Sequence, residues 1–196
     1  MANLWSEKVE REIASGSVVA HRYIPSGSVI KMLGNAAIYI KSDMDTDADG
    51  SPRATQIDPF GLAATSLSRE NGWAGDGQFV NAETIPYFVL PGKFNAVFGT
   101  RCKLGDLALI RRRSREVFAI YADTGPKTKL GEGSIKLVES LGANPWNRSR
   151  TKIISGIALE VEYLILSGSS ASFGIPKTFD EIQAVGQSAF EQAFGE

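Results

Sequence analysis

The apolar residues of this chain come in short runs, each cut off by Gly, Pro, Asn or Asp, and that pattern points to a β-rich domain. Val18–Tyr23, Ala36–Lys41, Pro86–Leu90, Phe94–Phe98, Asp106–Arg111 and Glu116–Ala122 all have strand composition. A seventh run, Ile157–Leu166, alternates Leu159, Val161 and Tyr163 with Glu160 and Glu162. The 20 glycines and 8 prolines supply the turns between them. Helical spacing is confined to three places. Trp5, Val9 and Ile13 before Gly16 predict a helix over about 4–15. Ser134 as N-cap and Gly142 as stop bound a second, over 134–141. Thr178-Phe-Asp-Glu181 has the form of a capping box, and it opens a terminal helix over about 178–194. A chain of 196 residues with this order reads as one α+β domain, 1–196, with its core at about 17–167.

What the chain lacks narrows its chemistry. It has a single histidine, His21, in a predicted strand, and a single cysteine, Cys102, which reads as a small buried hydrophobe. Triads built on histidine and zinc sites built on His and Cys are therefore poorly supported, and no intrachain disulfide can form. There is no phosphate-cradling loop and no dinucleotide fingerprint. A net charge of −1 gives no field for nucleic acid. The densest basic stretch, Arg111, Arg112, Arg113 and Arg115, falls between two apolar runs and reads as a hairpin tip. No apolar run approaches membrane-spanning length. Residues 1–8 do not read as a secretory leader, which leaves the compartment and any export route open.

Carboxylates remain. Asp43, Asp45, Asp47 and Asp49 alternate up to Gly50. The last three copy the opening of a calcium loop, but the twelfth position is Gln56 and a strand precedes it, which argues against an EF-hand. An acidic turn, another kind of cation loop, or an electrostatic subsite for a cationic ligand all remain open. A second cluster runs from Asp123, at the exit of a predicted strand, to Glu132 between Gly131 and Gly133. Glycines on both sides of Glu132 leave room for a ligand to approach the backbone. Residues 66–81 form a long loop with Trp73 in it. That tryptophan either packs down on the domain or stacks on a sugar ring.

Four stretches taken together resemble the fungal chitosanases of glycoside hydrolase family 75. They are Asp43-Met-Asp-Thr-Asp-Ala-Asp-Gly50, residues 82–91, residues 105–110, and Phe118-Ala-Ile-Tyr-Ala-Asp-Thr-Gly125 followed by Leu130-Gly-Glu-Gly-Ser-Ile135. The resemblance covers roughly residues 38–166. It implies a six-stranded double-psi-type β-barrel with peripheral helices. It also implies an inverting endo-hydrolase in which Asp123 and Glu132 are the catalytic pair, without metal or cofactor. Asp43, Asp45, Asp47, Asp49, Tyr121, Thr124 and Trp73 are then the expected substrate contacts. The chain departs from the family where Ala48 replaces a cysteine.

The expected partner is a polysaccharide of amino sugars such as chitosan, bound by a monomer, with no role for nucleic acid or membrane. A polycation suits an acidic cleft. Two other readings use the same residues. The acids could cut peptidoglycan, which also contains β-1,4-linked amino sugars, in an effector delivered by a secretion machine. Alternatively the barrel is a non-catalytic carbohydrate-binding module, in which case Asp123 and Glu132 should be separated or paired to the Arg111–Arg115 group.

Overall fold

The fold is a computed structural model that describes residues 4–19 and 26–195. Eight strands form one sheet: β1 (Ser17–Val18), β2 (Val29–Met32), β3 (Ile38–Asp47), β4 (Tyr87–Pro91), β5 (Leu107–Arg112), β6 (Arg115–Gly125), β7 (Glu132–Ser134) and β8 (Ile157–Leu166). Six of them close into a barrel in the order β3-β7-β4-β6-β5-β8, sealed by β8 pairing back onto β3. Closure leaves these six without a free edge. The β3–β7 and β4–β6 seams are parallel and the other four antiparallel. β2 hangs on the outside of β3, and β1 on β2. The six-stranded barrel expected from the sequence is thus present, with the helices at its periphery.

Strand alternation feeds two apolar clusters on opposite faces of the sheet. Phe118, Ile120 and Ala122 of β6 join one, together with helices α1 (Glu7–Ser15) and α6 (Phe179–Phe194). Val117, Ala119 and Tyr121 join the other, beneath the short helix α4 (Ile135–Ser140). The predicted N-caps form, although the capping box at Thr178 does so only by half, because Glu181 Oε2 accepts from the Lys177 N–H. Ser134 Oγ accepts from the Leu137 N–H, and Thr178 Oγ1 accepts from the Glu181 N–H. Gln183 of α6 clasps both backbone groups of Phe118, which pins the terminal helix to β6.

Two sequence expectations need correction. Phe94–Phe98 is a short helix, α3, not a strand. Its ends are set by left-handed residues, Lys93 at φ 74° and Gly99 at φ 68°, which no strand accommodates. The run beginning at Ala36 does not stop at Lys41. It continues as β3 through Asp47, because pairing with β8 and then β7 overrides the weak strand preference of aspartate. Val18–Tyr23 starts as a strand, but its second half and His21 lie outside the described residues.

The Arg111–Arg115 segment is the β5–β6 hairpin tip. Arg111 pairs with Glu162 at 2.8 Å and with Glu10 at 3.0 Å, and Arg112 with Glu160 at 2.7 Å. Cys102 is buried, and burial pushes its thiol up to about 11.

Candidate active site

Strand register brings the two acids together. Val89 of β4 is opposite Asp123 of β6 on one side and opposite Glu132 of β7 on the other. Glu132 is in turn opposite Asp45 of β3. Paired positions share a face of a sheet, so Asp45, Glu132, Val89 and Asp123 form a row across four adjacent strands. Asp123 and Glu132 stand two strand spacings apart, about 10 Å between backbones. A bulge in β6 beside the Phe88–Val89 step sets this alignment. Bulges re-aim side chains in this way next to functional sites.

Asp123 is held by the 66–81 loop. Its Oδ1 accepts from the Ser66 N–H at 2.7 Å, from Ser66 Oγ at 2.6 Å and from the Thr124 N–H at 2.9 Å. The loop itself is tied down by the Leu67 N–H donating to Ala122 O.

Glu132 is placed differently. Its side chain is 13% exposed, and Oε1 lies 2.8 Å from Lys129 Nζ. Its Oε2 is buried and has no partner among the described residues. A Cβ at position 125 would come within 2.5 Å of that oxygen, so Gly125 leaves the space it occupies. Burial raises the Glu132 pKa, Lys129 opposes the rise, and Asp45 and Asp123 add to it.

The flanking glycines do not make room for a ligand, contrary to the expectation from sequence. Gly131, at φ 88°, is packed against the Asp43 backbone, and Gly133 against Met44 and Leu137. They let β7 insert between β3 and β4.

The acidic motif divides between two places. Asp47 and Asp49 meet Asp123, and one carboxylate oxygen from each of the three lies within 4.8 Å of the others. The Asp49 N–H donates to Asp47 Oδ1 at 2.9 Å, and the Leu62 N–H donates to Asp49 Oδ1 at 2.7 Å. Gly50, at φ 73°, closes this turn where a Cβ would strike the Val80 carbonyl.

Burial, with Asp49, Asp123 and Glu132 adding, raises Asp47 to about 8. Burial also raises Asp49 to about 6, opposed by the Leu62 N–H and reinforced by Asp123. The Tyr87 hydroxyl, beneath the cluster, donates to Asp49 O at 3.0 Å. It is raised by burial and then by Asp47 and Asp123.

Carboxylates at this spacing disfavour one another's ionised form, and burial adds to this at Asp47 and Asp49. The same three oxygens are also the donor set a hard cation would use.

Asp43 and Asp45 turn elsewhere. Together with Ser26, Ser28 and Leu159 they line an open groove of about 370 Å³. Lys129 reaches back across to Asp45 at 3.2 Å. That groove therefore touches the site only through Asp45.

Two other expected contacts are less direct. Tyr121 is buried against Phe88, with its hydroxyl 3.1 Å from Thr124 Oγ1. Trp73 is 3% exposed and packs in the core, where its Nε1–H donates to Asp76 O. It is not an open platform. Among the described residues, Phe60 is an aromatic that is exposed, at 88%. The Gly50 N–H donates to Leu62 O and the Leu62 N–H to Asp49, which fastens the Phe60 loop to the acidic turn.

Sequence reasoning missed Ser66, Lys129 and Phe60. Only Lys129 carried a signal, since it is one of two lysines, with Lys127, on the connection between the two acids and stands three residues before Glu132. No family model matches the chain, and no curated protein matches it.

Proposed function

We propose that the protein is a glycoside hydrolase of the chitosanase type, cleaving β-1,4-linked glucosamine polymers with inversion. Asp123 is the general base and Glu132 the general acid. The observation that carries this reading is the register that sets the two acids opposite one residue, Val89, from the strands on either side of it. A backbone separation of about 10 Å suits the roughly 6.5–9.5 Å between carboxyls that an inverting enzyme needs to admit water. The roles follow from environment. Burial favours the protonated form of Glu132, which then gives its proton to the leaving oxygen. Asp123, with three donors fixing Oδ1, keeps its orientation and takes the proton of the attacking water. The acidic walls formed by Asp45, Asp47 and Asp49 suit a polycation.

The binding-module alternative expected these acids to be separated or paired to the arginine tip. In the fold that tip pairs with Glu10, Glu160 and Glu162. Incubation with chitosan, chitin and peptidoglycan tests the reading. Release of reducing sugars from chitosan, with the α-anomer appearing first by NMR, is the expected result. Release from peptidoglycan alone moves the substrate to that polymer. No release from any of them removes the hydrolase reading.

A further inference from the structure

One cation sits inside the acidic row. Lys129 Nζ lies 2.8 Å from Glu132 Oε1 and 3.2 Å from Asp45 Oδ2. It arrives from the connection between β6 and β7, the same segment that joins Asp123 to Glu132. Glu132 Oε2 is buried against Gly125, so Oε1 is the only oxygen of this carboxyl with an open side. Lys129 covers that side. A glycosidic oxygen would have to compete with the lysine for that Oε1.

We propose that Asp45 is the docking point for a primary ammonium of the substrate, and that Lys129 fills this position in the free protein as a tethered stand-in. The inference rests on the amino-sugar reading above. The chemistry of occupant and ligand is the same. Each is a compact ammonium with three donors, and the lysine carries its ammonium on a flexible stem. Replacing one by the other conserves charge, so no carboxylate is left unpaired at Asp45.

Exposure favours the exchange. Asp45 is 59% exposed and Lys129 41%, so their pair is weak and solvent-screened. Asp45 also stands on the wall of the groove with Asp43, which gives a sugar an approach that does not pass over Asp123.

The exchange has a consequence for the acid. Glu132 is faced by Asp45 on β3, Asp123 on β6, Lys129 on the connection, and more distantly by Asp47 and the Tyr163 hydroxyl of β8. Lys129 is the single positive group among these. Once it swings away, burial and the neighbouring carboxylates all favour the protonated form of Glu132. Substrate binding would thereby uncap the acid and load it with the proton it has to give.

The test is calorimetry at low ionic strength, in an Asp123→Asn background that stops turnover. The ligands are a fully deacetylated glucosamine tetramer and its N-acetylated counterpart. Lys129→Met should bind the deacetylated tetramer about two- to fivefold more tightly, the range expected for losing a weak competing pair. Binding of the acetylated tetramer should not change. Asp45→Asn should erase the preference for the deacetylated ligand, with or without Lys129. Lys129→Gln serves in the same experiment if the Met variant fails to fold, as judged by circular dichroism.

Unchanged or weaker binding by the Lys129 variants overturns the inference. So does failure of every protein to distinguish the two tetramers. Hydrolysis is read separately on the wild type. Glycan cleavage without the Lys129 effect leaves the hydrolase reading standing and removes this one, and tightening without cleavage does the reverse.

Discussion

Two aspartates on one hairpin, Asp106 and Asp123, are buried in opposite ways. Asp106, just before β5, is completely inaccessible. Its Oδ2 accepts from the Lys103 and Gly168 N–H groups, and its Oδ1 from the Ser170 N–H and Oγ. Every one of these donors is neutral, three of them are backbone, and no carboxylate stands nearby in the bonding set. Asp123, near the end of β6, spends one oxygen on Ser66 and Thr124 and turns towards two more carboxylates. The first arrangement uses a carboxylate to tie the 103–106 turn to the start of the helix at Ser169–Phe173. The second gathers acids that repel one another, at a cost to stability that packing alone does not explain. Local conflict of this kind is what functional sites retain.

The largest effect should come from the satisfied aspartate. In Asp106→Asn the new NH2 faces either the Lys103 and Gly168 N–H groups or the Ser170 N–H and hydroxyl, so at least one buried N–H is orphaned whichever way the amide turns. A loss of about 2–5 kcal/mol is expected, a large share of the stability of an ordinary domain. Chemical denaturation measures it. A change under 1 kcal/mol would mean that water or neighbours rescue the donors, and the contrast between the two aspartates would lose one side.

Asp123→Asn should behave in the opposite sense. Its Oδ1 can keep all three donors, while the NH2 offers hydrogen bonds to Asp47 and Asp49. Thermal melting should therefore show no loss of stability, whereas turnover falls by a factor on the order of a hundred or more. Glu132→Gln should do the same to turnover. Full activity in both variants would detach function from this cluster.

Stability against pH sharpens the comparison. Asp47 and Asp49 have folded values raised to about 8 and about 6 from an ordinary 3.8. Between those limits the folded state binds more protons than the unfolded state. Stability from these groups is thus fully present below about pH 4 and is lost as pH rises towards 8. Asp47→Asn should flatten that slope and stabilise the protein at pH 8, as read from melting temperatures across the range. A bound cation predicts something else: wild-type melting that falls on chelation, and an Asp47→Asn variant less stable than wild type. That pair of results would replace the proton with a metal.

How much of this could be read from the chain depends on what sets each feature. The barrel strands β4, β5 and β6 were legible as unbroken apolar runs between turn residues, which suits strands buried on both faces, and β8 by its alternation. β2 was not, since four residues after Ser26-Gly-Ser28 give too short a pattern. The helical state of Phe94–Phe98 was hidden because its composition suits a strand and the deciding φ values at 93 and 99 are backbone properties. The two acids were singled out by motif, but not their relation across Val89. That comes from β4 threading between β6 and β7, a long-range event with no local trace. The division of the acidic motif was equally hidden, because it depends on where β3 leaves the barrel and the turn at Gly50 begins.

The smallest effect concerns two aromatic side chains, Trp73 and Phe60. Trp73, the obvious sugar platform in sequence, is core. Phe60 lies open at 88%, on a loop whose turn is fixed by the Asp58 carboxylate accepting from the Phe60 N–H at 2.9 Å. A large ring held out in water gains nothing for folding, so removing it should leave melting unchanged. If it stacks on a sugar bound beside Asp49, Phe60→Ala should raise KM roughly fivefold, from about 1 kcal/mol of lost ring contact, with kcat unchanged. An unchanged KM in Phe60→Ala would confine substrate contact to the acidic row and its groove, leaving the aromatic rim with no part in binding.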